Sequence, residues 1–349
     1  MKLPTMNAIT TTKKSRSVLE GQAPIGGAVA AIMAVVLGTI LSVTESKSAE
    51  LKDAGVNAAE RELIRDPHIR GGFLLLDPKP GQRVVNGELA GGEPTVKPVW
   101  DLAEWSSKFP LVVEPAQCQN GALAFTNAAK QVVIGRLDSG EAALVLGVNA
   151  SVEYGTRARQ ESEPWVHLLV QQEISEPPSL AELGAARLHI AARLVRSRAV
   201  RTPDYSPGRH AAQFQLFFTV QNQNRQSPGF GRLLWFGIPL YDDRHRIPVG
   251  HKSKDTAGSE MFIFTPDGSS YTSSSAHDGG WVTVDKDILP LLREALETAW
   301  ARGFLIESWA MADYRISGLN LGWEVPGIFD VEMQVRDLSF KVRREPSGK

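Results

Sequence analysis

The chain has 349 residues, 42% of them hydrophobic, so it can build a large core and is not a disordered protein. Lysine and arginine number 38 against 39 acidic residues, and the basic residues form no patch interleaved with aromatics, which disfavours a nucleic-acid role. Cys118 is the only cysteine, which excludes an intrachain disulfide and a multi-cysteine zinc cluster.

An uncharged apolar stretch lies near the N-terminus. Residues 25–43 read IGGAVAAIMAVVLGTILSV and follow a leader with basic residues. A run of this length can cross a bilayer, and the basic flank predicts that the rest of the chain lies outside the membrane. Ser46 and Ser48 precede a possible signal-peptidase cut before Ala49, whereas the length of the run is typical of an uncleaved anchor. We therefore expect residues 1–49 to be a signal peptide or a signal anchor of an exported protein, either periplasmic, cell-surface or extracellular.

The next part of the chain reads as a spacer. Residues 50–66 predict a short polar helix that ends before Pro67. Residues 77–98 are rich in glycine and proline, which favours a loop or an edge ribbon. We expect residues 50–110 to be a spacer helix and a loop region, followed by a folded domain over residues 111–349.

The folded domain is rich in predicted strands. Several stretches alternate strictly between apolar and polar residues, which is typical of sheets with one buried and one solvated face. In 211–223, for example, Phe214, Leu216 and Phe218 alternate with polar residues, which fixes the register. The predicted strands are 111–114, 122–126, 131–137, 142–150, 165–174, 187–196, 211–223, 233–241, 260–264, 281–284, 314–325 and 329–342.

Two local features complete the predicted fold. The alternation of the last strand shifts by one residue near Arg336 and Asp337, which predicts a β-bulge. A helix begins at the cap residue Asp287 and ends at Gly303. We therefore expect an all-β protein, an antiparallel β-sandwich of jelly-roll type with one peripheral α-helix and an N-terminal targeting helix.

The polar sides of several strands carry side chains suited to a glycan. Planar amide, guanidinium and carboxylate groups pair with sugar hydroxyls, and aromatic rings offer flat apolar platforms for pyranose faces. If these strands are neighbours in one sheet, the side chains share one face, although an ordinary wet sheet face remains the alternative. The candidate ligand-binding residues on the strands are Trp165, His167, Gln171, Arg187, His189, Gln213, Gln215, Trp235 and Tyr241.

A polar segment directly after the strand 233–241 is a second candidate. Asp242, Asp243 and Arg244 lie at the predicted rim of the sheet, where ligand loops lie. Arg244 is therefore also a candidate ligand contact. Asp242 or Asp243 could hold a structural calcium together with backbone oxygens, and a turn with a local ion pair is the alternative.

Residues 165–342 resemble the concanavalin-like jelly rolls of secreted carbohydrate-active proteins. The resemblance is carried by the long alternating strands, the polar and aromatic face, and the closing pair DYRISGLNLGWEVPG and IFDVEMQVRDLSF. It implies glycan binding or cleavage across one sheet, often with a structural calcium. The chain lacks the paired-glutamate strand motif of the glucanases in that group, which favours binding over hydrolysis.

Motifs for catalysis are sparse. The chain has no G-x-S-x-G, no H-E-x-x-H and no phosphate loop, and no spacing singles out a carboxylate pair among Glu173, Glu324, Asp330 and Glu332. We expect an extracytoplasmic carbohydrate-binding protein whose partner is a polysaccharide, with membrane contact through 25–43 if that segment is uncleaved. A polysaccharide lyase or glycoside hydrolase acting on the same face, or a structural envelope subunit, are the alternatives.

Overall fold

The computed structural model describes residues 60–119, 121–136, 142–256 and 259–345. The predicted targeting segment 1–49 and the first part of the predicted spacer helix, up to residue 59, lie outside the described residues. Among the helices that the structure describes, none is long and apolar enough to cross a membrane.

Two packed sheets form the folded body, which confirms the predicted all-β sandwich. The eight-stranded sheet has the order β15-β10-β17-β8-β7-β6-β5, with β1 paired to β17, and the nine-stranded sheet has the order β13-β14-β12-β11-β16-β9-β4-β2-β3. All pairs are antiparallel except β12 with β14 and β2 with β4. The strands are β1 (Arg61–Glu62), β2 (Gly72–Leu76), β3 (Val85–Ala90), β4 (Trp100–Ala103), β5 (Gln117–Gln119), β6 (Ala122–Thr126), β7 (Lys130–Arg136), β8 (Ala142–Asn149), β9 (Val166–Glu173), β10 (Leu183–Ala199), β11 (Gln213–Asn222), β12 (Leu233–Asp242), β13 (His251–Lys254), β14 (Phe262–Thr265), β15 (Val282–Asp287), β16 (Tyr314–Val325) and β17 (Phe329–Arg344).

The core lies between the two sheets and is built by the alternation seen in the sequence. Phe214, Leu216 and Phe218 of β11 are fully buried in it. The ring of Phe218 lies 4.6 Å from the ring of Phe340, which belongs to the other sheet. Burial of each such side chain contributes about 1.5–3 kcal/mol, so a one-residue slip of β11 would be costly.

The predicted bulge in the last strand is confirmed. The pairing of β17 with β10 shifts between His189 opposite Ser339 and Ala191 opposite Arg336. Asp337 adopts a φ of 58°, which accommodates the extra residue. Because of this shift, Phe340 faces the core although the alternation of the first half would have turned it outward.

The predicted helix is also confirmed, as α2 (Leu289–Ala301), and a short helix α1 (Ala150–Tyr154) was not predicted. The Asp287 carboxylate accepts the Leu289 N–H at 3.0 Å, and Gly303, with a φ of 82°, follows the last turn. Leu292 and Leu296 of α2 lie in the core, so the helix closes one side of the sandwich.

The region predicted as a spacer differs from the structure. Residues 60–66 form no helix, and the four strands β1 to β4 between residues 61 and 103 pair into both sheets. The sequence signal was weak because these strands are short and separated by glycine- and proline-rich turns.

One strand prediction is wrong, and two more strands were missed in addition to β1 to β4. Residues 111–114 form no strand, because Pro110 and Pro115 flank them and the Leu111 N–H is bound by the buried carboxylate of Glu104. These two further strands are β5 and β13, both at sheet edges and four residues long or less.

Candidate functional site

A row of amide side chains crosses the outer face of the nine-stranded sheet, on the side away from the core. Gln171 of β9, Gln213 and Gln215 of β11, and Asn320 of β16 all point to this face, because their neighbours in each strand lie in the core. Their exposed fractions are only 2%, 8%, 7% and 6%, respectively. We call these four residues the amide strip.

Two apolar clusters border the amide strip on the same face. On the side of β12, Phe217 and Trp235 pack with Leu233 and Ile263. On the side of β4, the second cluster consists of Leu76, Ala103, Trp105 and Leu169. The amide strip therefore lies between two apolar clusters on this face.

Two amides of the strip keep their hydrogen-bonding capacity. Asn320 lies directly opposite Gln171 in the pairing of β16 with β9. Within the described residues neither side chain makes a hydrogen bond, and neither is among the polar groups that are fully enclosed without a partner. Both amides thus reach solvent through the small part of each side chain that remains exposed.

A buried carboxyl group lies beside the strip, at the end of β16. Glu324 is 4% exposed, and its carboxyl oxygens accept hydrogen bonds from Trp165 Nε1 at 3.3 Å and from Gln215 Nε2 at 3.3 Å. Burial raises the pKa of Glu324 to about 8, and the charge of Asp255 acts in the same direction. Glu324 is therefore mainly protonated, and uncharged, at neutral pH.

His167 is the nearest titratable neighbour of Glu324. Its Nε2 lies 3.8 Å from a Glu324 oxygen, and its Nδ1 lies 2.9 Å from the Trp165 carbonyl oxygen. Burial lowers the pKa of His167 to about 4, so the ring is neutral. Because Nδ1 faces a carbonyl, it carries the proton, which leaves Nε2 as an acceptor with no hydrogen-bond partner in the described residues.

The indole of Trp165 covers this end of the strip. The Trp165 ring stacks on the His167 ring, with centroids 5.9 Å apart. The Arg159 guanidinium lies 4.9 Å from the centroid of the Trp165 ring. Arg159 is held by backbone carbonyls, for example that of Glu163 at 2.7 Å. The charge of Arg159 is thus fixed above an aromatic ring rather than directed at the amide strip.

Two arginine–carboxylate pairs flank the strip. Asp101 is paired with Arg83 at 2.7 Å, and Asp242 with Arg244 at 2.6 Å. Burial alone would raise the pKa of Asp242, but the hydrogen bonds and charge of Arg244 outweigh it and leave the pKa lowered. The charges at both borders are therefore neutralised locally.

These pairs change the interpretation of the rim segment. Arg244, predicted as a ligand contact, is bound to both oxygens of Asp242, as in the alternative of a turn with a local ion pair. The Asp242 carboxylate also accepts a hydrogen bond from Gln213 Nε2, and the Asp243 carboxylate accepts one from the Ala212 N–H. Within the described residues, no group of three or more His, Cys, Asp or Glu side chains is placed to hold a metal ion.

Four of the predicted site residues lie elsewhere or serve the packing. Arg187 and His189 belong to β10 in the other sheet, where both face Asp285. Trp235 lies on the same outer face as the amide strip, but it is buried in the apolar cluster beside β12, edge-on to Phe217. Tyr241 points into the core, because the bulge between β11 and β12 shifts its phase.

Sequence reasoning missed Asn320, and it listed Glu324 only as one of several carboxylates. The signal was present in β16, where Leu319, Leu321 and Trp323 alternate with Asn320 and Glu324. Of the other candidate carboxylates, Glu173 is exposed at the end of β9, while Asp330 and Glu332 belong to β17 in the eight-stranded sheet.

No family model and no curated protein matches the sequence. Among solved structures, the chain is similar to the endoglucanase cel12A from Rhodothermus marinus, with 11% identity, a TM-score of 0.36, and coverage of 67% of this chain and 98% of that one. It is also similar to the family 11 xylanase from Neocallimastix patriciarum, with 11% identity, a TM-score of 0.31, and coverage of 65% and 97%. The Trichoderma harzianum endoglucanase 3 from family GH12 gives 10% identity, a TM-score of 0.34, and coverage of 72% and 100%. The β-sandwich fold of this chain is established by its own strand pairing.

Proposed function

We propose that the protein binds a carbohydrate chain along the amide strip. The observation that carries this proposal is the pair of amides of Gln171 and Asn320, which lie side by side between two apolar clusters and make no hydrogen bond to a described residue. A primary amide presents a donor and an acceptor in one plane, which matches neighbouring sugar hydroxyls. Leaving such groups unpaired in a largely buried position is costly, so a ligand that pairs them gains affinity.

The electrostatics of the site support an uncharged mode of recognition. Glu324 is mainly protonated at neutral pH, and Asp101 and Asp242 are each paired with an arginine. Hydroxyl groups are therefore better matched to the strip than a strongly charged ligand. An extracytoplasmic location, which rests on the apolar segment 25–43, is part of the same proposal.

Affinity electrophoresis of the full chain through gels that contain different polysaccharides tests the proposal. We expect at least one polysaccharide to retard the protein, and the double variant Gln171→Ala/Asn320→Ala to lose that retardation. The matched control His189→Ala changes a polar residue of the other sheet, whose side chain is 41% exposed, and should keep that retardation. Absence of retardation across the panel, or equal retardation of the double variant, would falsify glycan binding at this strip.

Cleavage of the bound glycan is a second candidate function, favoured by the raised pKa of Glu324, which suits a proton donor. A glycosidase also needs a second carboxylate about 5–10 Å away. Asp242 lies in the same row of the sheet, two strands from Glu324, but its oxygens are occupied by Gln213 and Arg244. Binding therefore remains the first proposal.

The second candidate has its own test. If the protein cleaves the polysaccharide that retards it, reducing ends appear with time and the Glu324→Gln variant does not release them. Retention of the polysaccharide without any release of reducing ends by the parent chain excludes this candidate and leaves binding in place.

A further inference from the structure

Two neighbouring loops form an exposed apolar surface at one end of the sandwich. They are residues 223–232, between β11 and β12, and residues 302–313, between α2 and β16. Phe230 is 38% exposed, Ile306 55% and Trp309 64%. We call these three side chains the apolar tip.

The apolar tip is held rigidly, although its side chains are exposed. The Trp309 ring stacks on Trp300 with centroids 5.9 Å apart, and its Nε1 donates to the Ile306 carbonyl at 3.1 Å. The two loops are joined by a hydrogen bond from Asn224 Nδ2 to Asp313 at 2.7 Å. A fixed apolar surface loses little conformational entropy when it is covered, which favours its use in binding.

The charges around the apolar tip favour an anionic surface. Arg225 and Arg232 flank Phe230, and Arg302 begins the second loop. Glu307 lies 3.8 Å from Arg232, Asp313 accepts a hydrogen bond from the Ser308 hydroxyl, and Arg302 donates to the Lys252 carbonyl. The two loops thus carry three arginines against two carboxylates. Aromatic and aliphatic side chains beside an excess of basic residues are typical of surfaces that lie at the interface of a membrane with anionic lipids.

The start of the described chain lies at the same end of the molecule. Arg61 donates from Nη2 to the Glu176 carbonyl at 2.8 Å, in the loop that follows β9. Further along this loop, the Ser179 hydroxyl donates to the Ala312 carbonyl at 2.9 Å, next to the apolar tip. The link from residue 43 to residue 61 can span up to about 60 Å when extended, which is ample to bring this end to a membrane.

We propose that the apolar tip docks onto the surface of a bilayer that contains anionic lipids. The sandwich then lies against the membrane that residues 25–43 are predicted to enter, with Trp309 and Ile306 at the level of the lipid headgroups. This proposal is independent of the ligand of the amide strip, which lies on a sheet face rather than at this end.

A polarity-sensitive label on the full chain tests the docking. The exposed Cys118 is replaced by serine, and a single cysteine is introduced by Ile306→Cys. Val249→Cys is the matched control, because Val249 is 49% exposed and follows β12 at the opposite end of that strand from the apolar tip. Each labelled protein is mixed with vesicles of phosphatidylcholine and phosphatidylglycerol, and a thermal melt shows that it remains folded.

We expect the emission of the label at position 306 to shift to the blue with vesicles and to be quenched by brominated lipids, while the label at position 249 stays aqueous. Aqueous emission from both positions in the presence of vesicles overturns the proposal. A blue shift that rises with protein concentration without vesicles shows a second copy of the chain at the tip and also overturns it. A shift that requires a soluble polysaccharide, and not lipid, overturns it in favour of a glycan contact.

Discussion

The outer faces of the two sheets carry similar polar residue types, but these residues differ in exposure and in their hydrogen-bond partners. On the eight-stranded sheet, Arg187 and Asp285 are roughly half exposed and bind each other at 2.8 Å. On the nine-stranded sheet, Gln171 and Asn320 are almost completely buried and bind no described residue. Polar groups that pair with one another in water need no ligand, whereas largely buried amides without a protein partner favour one.

The largest expected difference between the faces concerns their tryptophans. Trp235→Ala removes a buried side chain from the apolar cluster beside β12 and should destabilise the protein by about 3–5 kcal/mol. Trp281, next to β15 of the eight-stranded sheet, is only partly buried, and its ring centroid lies 5.0 Å from the Arg193 guanidinium and 4.1 Å from that of Arg336. Trp281→Ala should cost about 1–2 kcal/mol. Chemical unfolding of both variants measures this, and equal losses would contradict the burial contrast.

A pH-dependent difference is expected next in size. Because the pKa of Glu324 is raised to about 8 in the folded state, the native protein binds a proton that the unfolded chain releases near pH 4.5. The stability that Glu324 contributes is complete below pH 4.5 and is lost as the pH rises through about 8. Relative to the parent, the free energy of unfolding of Glu324→Gln should therefore increase between pH 5 and pH 9, by on the order of a few kcal/mol.

Thermal melts at several pH values test this expectation. The difference in melting temperature between Glu324→Gln and the parent should grow steadily with pH. The control Glu173→Gln, at an exposed position on the same face, should show no such trend. A constant difference across the range would mean that Glu324 is not kept protonated by burial.

A smaller effect is expected for the two unbonded amides. Once a ligand is identified, Asn320→Ala or Gln171→Ala should each weaken its binding by about threefold to tenfold, because each removes one or two hydrogen bonds. Folding stability should change by less than about 1 kcal/mol, since neither amide bonds a described residue. Calorimetric titration and melting measure the two quantities. Unchanged affinity in both variants would place the ligand elsewhere.

The smallest effect is expected on the eight-stranded sheet. Arg187→Ala breaks an exposed ion pair and should change stability by less than about 1 kcal/mol, because solvent screens such pairs. It should leave ligand affinity unchanged. A loss of affinity comparable to that of Asn320→Ala would remove the distinction between the two faces.

The sequence predicted the fold better than it predicted the site. Strict alternation in β11 and β17 identified the core side of each strand, and even the bulge at Asp337 was visible as a change of phase. Short strands such as β2, which is buried on both faces, carry no alternation and were missed.

Which predicted residues share one face depends on the order of the strands in the sheets. The alternation within each strand does not indicate that order. Arg187 and His189 alternate as clearly as Gln213 and Gln215, yet β10 belongs to the opposite sheet. Tyr241 turned inward because of a register shift in the partner pairing that its own strand does not reveal. Asn320 and Glu324 could have been found from the alternation of β16 alone.

Glycan binding at the amide strip is best tested by a crystal structure of the protein soaked with an oligosaccharide from the polysaccharide that retards it in gels. We expect sugar density on the outer face of the nine-stranded sheet, with hydroxyl groups within hydrogen-bond distance of the Gln171 and Asn320 amides. Density only on the outer face of the eight-stranded sheet or at the apolar tip, with the amide strip unchanged, would contradict it.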